Sequence, residues 1–324
     1  GDNFGYSVGV NFKTALVGAP YEDANGSDSG AAYLFYEGGQ IKKLMAGDGS
    51  AEDHFGWSVA FTDHWFNWVV VGAPGDDSDK GVDAGSAYLF ERDWGAPNSW
   101  GRYGRIWASD GEPGDAFGWS VAVSGQTVTV GAPWNSYNAG AAYVFRRNFV
   151  WWVEAKKLLP GAGANSFGYA VATNEETVVV GAPGIYSLLA DPGTAFEFQR
   201  NAGGTNNWGQ AATLVAGDGE GNDLFGNAVS VSGSTAVVGA PFADHVVDKA
   251  GGGYVYTVQG EIMYSADLDE DLDADGFDLS AFGGAFGSSS GDANYNGDAD
   301  FDSNGTVDEE DLSRFATDFG KIGG

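Results

Sequence analysis

The segment Phe55-Gly-Trp-Ser-Val-Ala-Phe61, followed by Trp68-Val-Val-Val-Gly-Ala-Pro74, decides the fold of this chain. The first part alternates like a half-buried strand, and the second is a nearly continuous β-branched run that ends at a strand breaker. A third strand is predicted at Ser86-Ala-Tyr-Leu-Phe90. Because helical periodicity is missing from these runs, the sequence predicts an all-β unit.

The same phrase returns five times along the chain. Its Phe-Gly pairs begin at Phe4, Phe55, Phe117, Phe167 and Phe225, and its Gly-Ala-Pro triplets at Gly18, Gly72, Gly131, Gly181 and Gly239. The triplets recur every 50 to 59 residues, which suits a propeller blade of about four short strands. Fourth strands are predicted at Ile41–Met45, Arg105–Trp107, Ala155–Leu159 and Ala212–Val215. The repeated Gly and Pro residues indicate backbone constraints and a structural role.

The connections between repeats predict how the blades close. A loop of fixed length, such as Asp48 to Asp53, precedes most Phe-Gly pairs, and the segment Glu261–Asp267 aligns with Lys42–Asp48. We therefore expect a five-bladed β-propeller over residues 1–266, closed into a ring with Asp267 beside Asp2, because a closed ring leaves no exposed sheet edge.

The chain is strongly acidic, and the acidity is concentrated at its end. The net charge is −30, of which −14 falls between Asp267 and Gly324, so nucleic acid and anionic lipid are disfavoured as partners. Cysteine is absent, which excludes disulfides, thiol catalysis and sulfur-ligated zinc or iron sites. No run of 18 apolar residues is present, so no membrane span is predicted.

Residues 267–324 form a second predicted domain, a paired calcium loop-helix module. A 12-residue loop, 300–311, places oxygen ligands at the positions that wrap one calcium ion, with Gly305 at the sharp turn and a helix after it. Its predicted ligands are Asp300, Asp302, Asn304, Thr306, Asp308 and Asp311. A shortened copy offers Asp271, Asp273, Asp275 and Asp278, and a partial one offers Asp292, Asn294, Asn296 and Asp298. Calcium is the only cofactor predicted.

Two resemblances extend this interpretation. The repeated phrases over residues 1–266 resemble the FG-GAP repeats of integrin-α-type β-propellers, and residues 267–322 resemble dockerin type I domains. The first resemblance implies a rigid propeller. The second implies a module that docks a protein partner around calcium. Unlike integrin repeats, this chain has only short connections between the Phe-Gly and Gly-Ala-Pro strands, such as Ser124–Thr127. Its acidic loops follow Gly-Ala-Pro instead. The sequence is compatible with two roles for these loops, calcium binding and solvated turns.

The function predicted from these features is non-enzymatic. The three histidines, His54, His64 and His245, do not have metal-ligand spacing, and no nucleophile elbow or phosphate loop is present. We expect a secreted, bacterial surface protein that binds calcium and acts in structure or adhesion. Its C-terminal module would dock to a protein, plausibly another copy of itself in a fibre or matrix. The alternatives are a monomeric propeller that binds a ligand or glycan and is docked to a cell-surface scaffold and, less favoured, a propeller glycosidase with two carboxylates across a pocket.

Overall fold

The structure is a computed structural model. It describes residues 1–258 except 63–67, 93–98, 149–150, 162–163, 186–190 and 245–248; beyond 258 it describes residues 282, 285–290, 292, 294, 299 and 306–308. The chain divides into two compact units, Gly1–Gln259 and Gly260–Gly324. The predicted domain boundary at residue 266 lies outside the described residues.

The first unit consists of five antiparallel sheets, which we call blades 1 to 5 in chain order. Blade 1 contains β1 (Val8–Asn11), β2 (Thr14–Ala19), β3 (Ala31–Tyr36) and β4 (Gly39–Leu44). Blade 2 contains β5 (Ser58–Phe61), β6 (Trp68–Ala73), β7 (Ser86–Arg92) and β8 (Trp100–Ile106). Blade 3 contains β9 (Ser120–Ser124), β10 (Thr127–Ala132), β11 (Ala141–Asn148) and β12 (Trp151–Leu158). Blade 4 contains β13 (Ala170–Thr173), β14 (Thr177–Ala182), β15 (Thr194–Gln199) and β16 (Gly209–Leu214), and blade 5 contains β17 (Ala228–Ser232), β18 (Thr235–Ala240) and β19 (Gly252–Thr257).

The blades repeat one another in detail. Each is a meander in which the Phe-Gly strand pairs with the Gly-Ala-Pro strand, which pairs with the aromatic strand. In blades 1 to 4 the ladder to the fourth strand shifts register at the same point, between Leu34 and Phe35 in blade 1. The first strands of neighbouring blades lie beside each other. This arrangement confirms the predicted all-β, propeller-like unit and its fourth strands.

Each hydrophobic core lies between two consecutive blades. In one of them Leu16 and Leu34 of blade 1 pack with Val69, Val71 and Phe90 of blade 2. Three further cores join blades 2 and 3, 3 and 4, and 4 and 5 in the same manner. A blade therefore has two apolar faces, and we call the face toward the following blade its front and the face toward the preceding blade its back. Burial of these apolar faces holds consecutive blades together.

The Phe-Gly pair is a junction between blades. The backbone N–H of Phe55 donates to the Ser29 carbonyl of blade 1 (3.0 Å), and Phe55 forms a parallel bridge with Gly30. The same bridge joins Gly85 to Phe117, Gly140 to Phe167 and Gly193 to Phe225. The four phenylalanines that follow another blade are fully buried. The glycines at these bridges let the backbones of two blades approach each other closely, which is the backbone constraint predicted for the repeated glycines.

The residue before each Phe-Gly pair adopts a left-handed backbone conformation. The five residues are Asn3, His54, Ala116, Ser166 and Leu224, with φ between 48° and 58°. None is glycine, although a positive φ costs about 1 kcal/mol or more for an L-residue. This turn could not be predicted from the sequence, because the five residues share no chemistry.

The expected closed ring is not formed by the described residues. Val8 and Val10 on the back of blade 1 are 66% and 75% exposed, and Val255 on the front of blade 5 is 70% exposed. In a ring of five blades these faces would bury each other. The predicted contact between Asp2 and Asp267 lies outside the described residues, as does the predicted strand that would complete blade 5.

The described part of the second unit is small. The backbone N–H of Phe286 donates to the Phe282 carbonyl (2.9 Å), and Gly287 follows with φ +82°. Ser289 and Thr306 form an antiparallel bridge. Val307 is fully buried. The predicted helices of residues 267–324 fall mainly outside the described residues and stay a prediction.

Candidate functional site

Most of the predicted calcium ligands lie outside the described residues. These are Asp271, Asp273, Asp275, Asp278, Asn296, Asp298, Asp300, Asp302, Asn304 and Asp311. The structure describes Asp292, Asn294, Thr306 and Asp308. Within the described ranges no group of three or more His, Cys, Asp or Glu side chains could hold a metal ion. The predicted calcium site therefore stays a prediction.

The described ligand candidates take part in turns. Asp292 Oδ2 accepts a hydrogen bond from the Ser289 backbone N–H (2.8 Å), and the Asp292 N–H returns one to the Ser289 carbonyl (2.9 Å). Thr306 Oγ1 donates to Asp308 Oδ2 (3.2 Å). The Val307 N–H donates to the Ser288 carbonyl (3.0 Å). The Val307 bond, together with the bridge between Ser289 and Thr306, ties the second half of the predicted loop to residues 287–289.

The acidic loops after Gly-Ala-Pro are closed by their own backbone. Asp23 accepts from the N–H of Asp28 (2.9 Å), Asp77 from that of Asp83 (3.0 Å), and Asp244 from that of Lys249 (2.5 Å). Such bonds are typical of side chains that cap turns. The sequence left two roles open for these loops, calcium binding and solvated turns, and these contacts favour turns.

The loops between blades also use their aspartates structurally. The second aspartate of each loop holds the turn: Asp53, Asp115 and Asp223 accept from the backbone N–H groups of Ser50, Glu112 and Glu220. The first aspartate of two loops accepts from a tyrosine hydroxyl of the following blade. Those pairs are Tyr143 with Asp110 (2.9 Å) and Tyr254 with Asp218 (2.8 Å). The loop is therefore fastened at both ends.

Burial changes the acidity of these groups. Burial, reinforced by the neighbouring carboxylates of Asp76, Asp77 and Asp48, raises the pKa of Asp53 to about 6, although the Ser50 hydrogen bond opposes it. For Asp110, burial acts to raise the pKa, but hydrogen bonds from Lys157 and Tyr143 outweigh it and lower the pKa. Burial and the bond to Asp218 raise the pKa of Tyr254 to about 12.

A row of aromatic rings crosses blades 1 to 4. It consists of the residue after each Phe-Gly pair: Tyr6, Trp57, Trp119 and Tyr169. Successive ring centroids lie 4.7, 4.7 and 5.5 Å apart, with interplanar angles of 45° to 48°. Blade 5 has Asn227 at this position. We call these four residues the aromatic row.

Further rings border the aromatic row. Tyr21 and His54 contact the ring of Trp57, and Trp134 contacts both Trp119 and Tyr169. Tyr6 is 48% exposed, and the other three rings of the row are half-buried. A half-exposed band of rings offers apolar faces with polar edges. Sequence reasoning missed this row, although the aromatic residue after four of the five Phe-Gly pairs was the available signal.

The structure bears little on the catalytic alternative. His54 packs its ring against Tyr21, with centroids 5.1 Å apart, whereas His64 and His245 lie outside the described residues. A pocket of about 300 Å³ is lined by Thr14, Tyr36, Ile41, Arg92 and Trp100. This lining includes no carboxylate pair of the kind that glycoside hydrolysis uses. The absence of enzymatic activity stays a prediction.

Comparison with known proteins agrees with the repeats. The family model described as the FG-GAP repeat matches residues 1–35, 39–90, 100–145 and 208–256, more than half of the chain. Residues 267–324 lie outside these matches, so the likeness to dockerin domains stays a prediction. No curated protein matches the chain. Among the described residues no helix is long and apolar enough to cross a membrane. The four matches and the repeated blade junctions show that the chain belongs to the FG-GAP repeat family.

Proposed function

We propose that this chain is a secreted, non-enzymatic adhesion module that binds carbohydrate on the aromatic row and docks through its acidic C-terminal residues. The aromatic row is the observation that carries the proposal. Its ring spacings of 4.7 to 5.5 Å form one continuous band. The C–H faces of a sugar are apolar and pack on such rings, while the hydroxyls stay in water or reach polar edges.

The charge of the row suits a neutral ligand. Tyr6 is uncharged at neutral pH, because tyrosine ordinarily ionises near pH 10, and burial together with the neighbouring Tyr21 and Tyr169 raises its pKa further. The net charge of the chain, −30, disfavours polyanions. A neutral or weakly charged glycan of a cell surface is therefore the ligand class that we propose, in agreement with the glycan alternative predicted from sequence.

The test is binding to a panel of immobilised neutral glycans. Trp57→Ala combined with Trp119→Ala removes the centre of the row, and we expect binding to weaken by at least about tenfold, which corresponds to roughly 1.4 kcal/mol. Trp151→Ala is the matched control, because this tryptophan is 70% exposed and belongs to β12, away from the row. Near-UV circular dichroism of each variant checks folding.

Two results would contradict the proposal. The first is absence of binding across the whole panel by the unaltered protein, and the second is an equal loss in the Trp151→Ala control. Release of reducing sugar from any bound glycan would contradict the prediction that the chain is not an enzyme.

The second part of the proposal concerns docking. The oxygen spacing of residues 300–311 supports calcium binding, and the bonds that tie residues 306–308 to residues 287–289 support a loop of fixed shape. The partner that we propose is a protein, with a second copy of this chain as the first candidate. Light scattering of the full chain on adding calcium and then a chelator tests the calcium dependence of this docking.

A further inference from the structure

Blade 3 places a lysine amine against a buried carboxamide. The Nζ of Lys157, on β12, donates to Asn135 Oδ1 in the turn after β10, 3.1 Å away. The side-chain nitrogen of Asn135 donates to Asp115 Oδ2 (2.7 Å). Asn135 and Asp115 are each 3% exposed. An amine and a carboxamide, the two groups that form a new amide when they react, are therefore in contact beside a buried carboxylate.

The same two positions form an ion pair in blades 1 and 2. The first position lies two residues after Gly-Ala-Pro, and the second lies just before the apolar residue that ends the fourth strand. The pairs are Glu22 with Lys43 (2.7 Å) and Asp76 with Arg105 (3.3 Å). Blade 3 keeps the cation but has Asn135 in place of the acid. Attraction between opposite charges explains the first two pairs and does not explain an amide in the third.

A carboxylate lies at each end of the contact in blade 3. Asp110 Oδ2 accepts from Lys157 Nζ (2.8 Å), and Asp115 Oδ2 accepts from the amide nitrogen of Asn135. The Tyr143 hydroxyl donates to Asp110 (2.9 Å), and the Tyr143 ring lies under Lys157 Nζ, 5.3 Å from its centroid. A lysine amine becomes a nucleophile when it loses a proton, and positioned carboxylates can carry protons to and from reacting groups.

We propose that Lys157 and Asn135 join in an intramolecular isopeptide bond once the chain has folded. Lys157 Nζ attacks Asn135 Cγ, the Nζ–Cγ bond forms, and the Cγ–Nδ2 bond breaks. The lysine ammonium gives up two protons and the leaving nitrogen takes up two, so ammonium departs and no oxidant, reductant or further reactant is needed. Contact between the two groups in the fold lowers the barrier, because it replaces an encounter between separate molecules.

The bond fastens the fourth strand of blade 3 to the turn between its two middle strands. Lys157 and Asn135 are 22 residues apart in sequence, so the bond closes a covalent loop and restricts the unfolded chain, as a disulfide does. The chain has no cysteine, and an amide bond is in addition insensitive to reductants. This cross-link goes beyond the proposed carbohydrate binding and does not depend on it.

The first test is intact-mass spectrometry of the denatured full chain. We expect the mass to be lower than the sequence mass by one ammonia. Asn135→Asp restores an acid as in blade 2 and removes the leaving nitrogen. Lys157→Arg keeps the positive charge and removes the reactive amine, because a guanidinium stays protonated. Both variants should have their full sequence mass.

Peptide mapping locates the loss of ammonia. Closure of Asn25-Gly26 to a succinimide would change the intact mass by the same amount, so the tryptic digest must contain one branched peptide that includes both Lys157 and Asn135. The blade 1 pair is the internal control, because Glu22 carries no amide nitrogen. The peptides that contain Glu22 and Lys43 should therefore appear unlinked.

Asp115→Asn tests the buried carboxylate beside the leaving nitrogen. We expect the linked fraction of freshly purified protein to fall by at least about tenfold, because a proton-transfer group is lost. Asp223→Asn is the matched control. Asp115 and Asp223 accept the same kind of turn bond, from the backbone N–H groups of Glu112 and Glu220, so the control loses a turn bond and keeps the reacting groups. Near-UV circular dichroism checks the folding of both variants.

Four results would overturn the proposal or part of it. An unaltered chain with its full sequence mass, an ammonia loss that maps to peptides without Lys157 and Asn135, or an Asn135→Asp variant that still lacks one ammonia would each exclude the cross-link. Equal linked fractions in Asp115→Asn and Asp223→Asn would exclude the catalytic role of Asp115.

Discussion

At the scale of single residues, several described acidic side chains of the propeller-like unit accept hydrogen bonds from the backbone or from neighbouring side chains. Asp23, Asp77 and Asp244 close the loops after Gly-Ala-Pro, and Asp53 holds a turn between blades. Asp76 accepts from the Tyr88 hydroxyl (3.0 Å) and pairs with Arg105. An abundance of carboxylates is therefore compatible with a structural use for many of them.

The raised pKa of Asp53 predicts a specific pH dependence. Its pKa is about 6 in the folded chain and about 3.9 in an unfolded one. Between these values the folded state holds a proton that the unfolded state has lost, so this carboxyl makes the protein less stable as the pH rises through the window. We expect Asp53→Asn to gain stability relative to the unaltered protein from about pH 4 to about pH 6, measured by urea unfolding.

Asp110→Asn is the control with the same change in net charge. Because hydrogen bonds from Lys157 and Tyr143 lower the pKa of Asp110 despite its burial, its carboxylate stabilises the fold once ionised, and that stability is lost as the pH falls through the lowered pKa. The Asp110→Asn variant should therefore lose stability relative to the unaltered protein as the pH rises. Parallel pH profiles for the two variants would contradict both assignments.

At the scale of elements, the junction between blades depends on backbone contact. A Cβ on Gly131 of β10 would lie 1.9 Å from the Gly168 carbonyl oxygen of blade 4. We expect Gly131→Ala to lower the free energy of unfolding by about 2–3 kcal/mol, because blades 3 and 4 must separate to admit the methyl group.

Gly104→Ala is the matched control for that substitution. Gly104 lies in β8 with nothing within 4 Å of its Cβ position, so alanine there should change the free energy of unfolding by less than about 0.5 kcal/mol. Urea unfolding followed by tryptophan fluorescence measures both variants. An equal effect of the two would show that packing between blades does not require the glycine.

At the scale of the whole molecule, the predicted calcium loop separates two routes to assembly. We expect calcium to bind the full chain and Asp302→Ala to weaken that binding by at least about tenfold, because one carboxylate ligand is lost. Isothermal titration calorimetry measures the affinity, and light scattering measures the growth in size on adding calcium and its reversal by a chelator.

Asp77→Ala is the control for the calcium experiment, since this carboxylate accepts the Asp83 N–H in an acidic loop of blade 2. If Asp77→Ala weakens calcium binding as much as Asp302→Ala does, the ion binds the propeller-like unit and the C-terminal assignment is wrong. A constant size with calcium bound would exclude calcium-driven self-assembly and leave docking to another protein.

The sequence was sufficient for the repeated parts of the fold and insufficient for its ends. The period-two runs and the Gly-Ala-Pro breakers predict the strands of every blade, because each strand has one pattern and one role. Closure of the ring was inferred from loop lengths. Loop lengths report how neighbouring elements connect, whereas closure depends on the angle between blades, which is set by side-chain packing such as that of Leu34 against Phe90.

The sequence likewise predicts one candidate site and does not predict the other. A ligand pattern such as residues 300–311 is local, so the sequence predicts it. The aromatic row joins residues about 50 to 60 positions apart, and only the lateral stacking of first strands brings Trp57 and Trp119 to 4.7 Å. A repeated aromatic residue can equally serve a core, so its partial exposure was not predictable from its identity.

The bridge between each Phe-Gly pair and the glycine of the preceding blade has a consequence for how such chains lengthen. Every interface is made by the same two kinds of surface, at Gly30 and Phe55 as at Gly193 and Phe225. A gene duplication that copies one repeat therefore supplies a blade whose two faces already fit its new neighbours. The number of blades can therefore change by one complete repeat at a time, while the contacts at each interface stay the same.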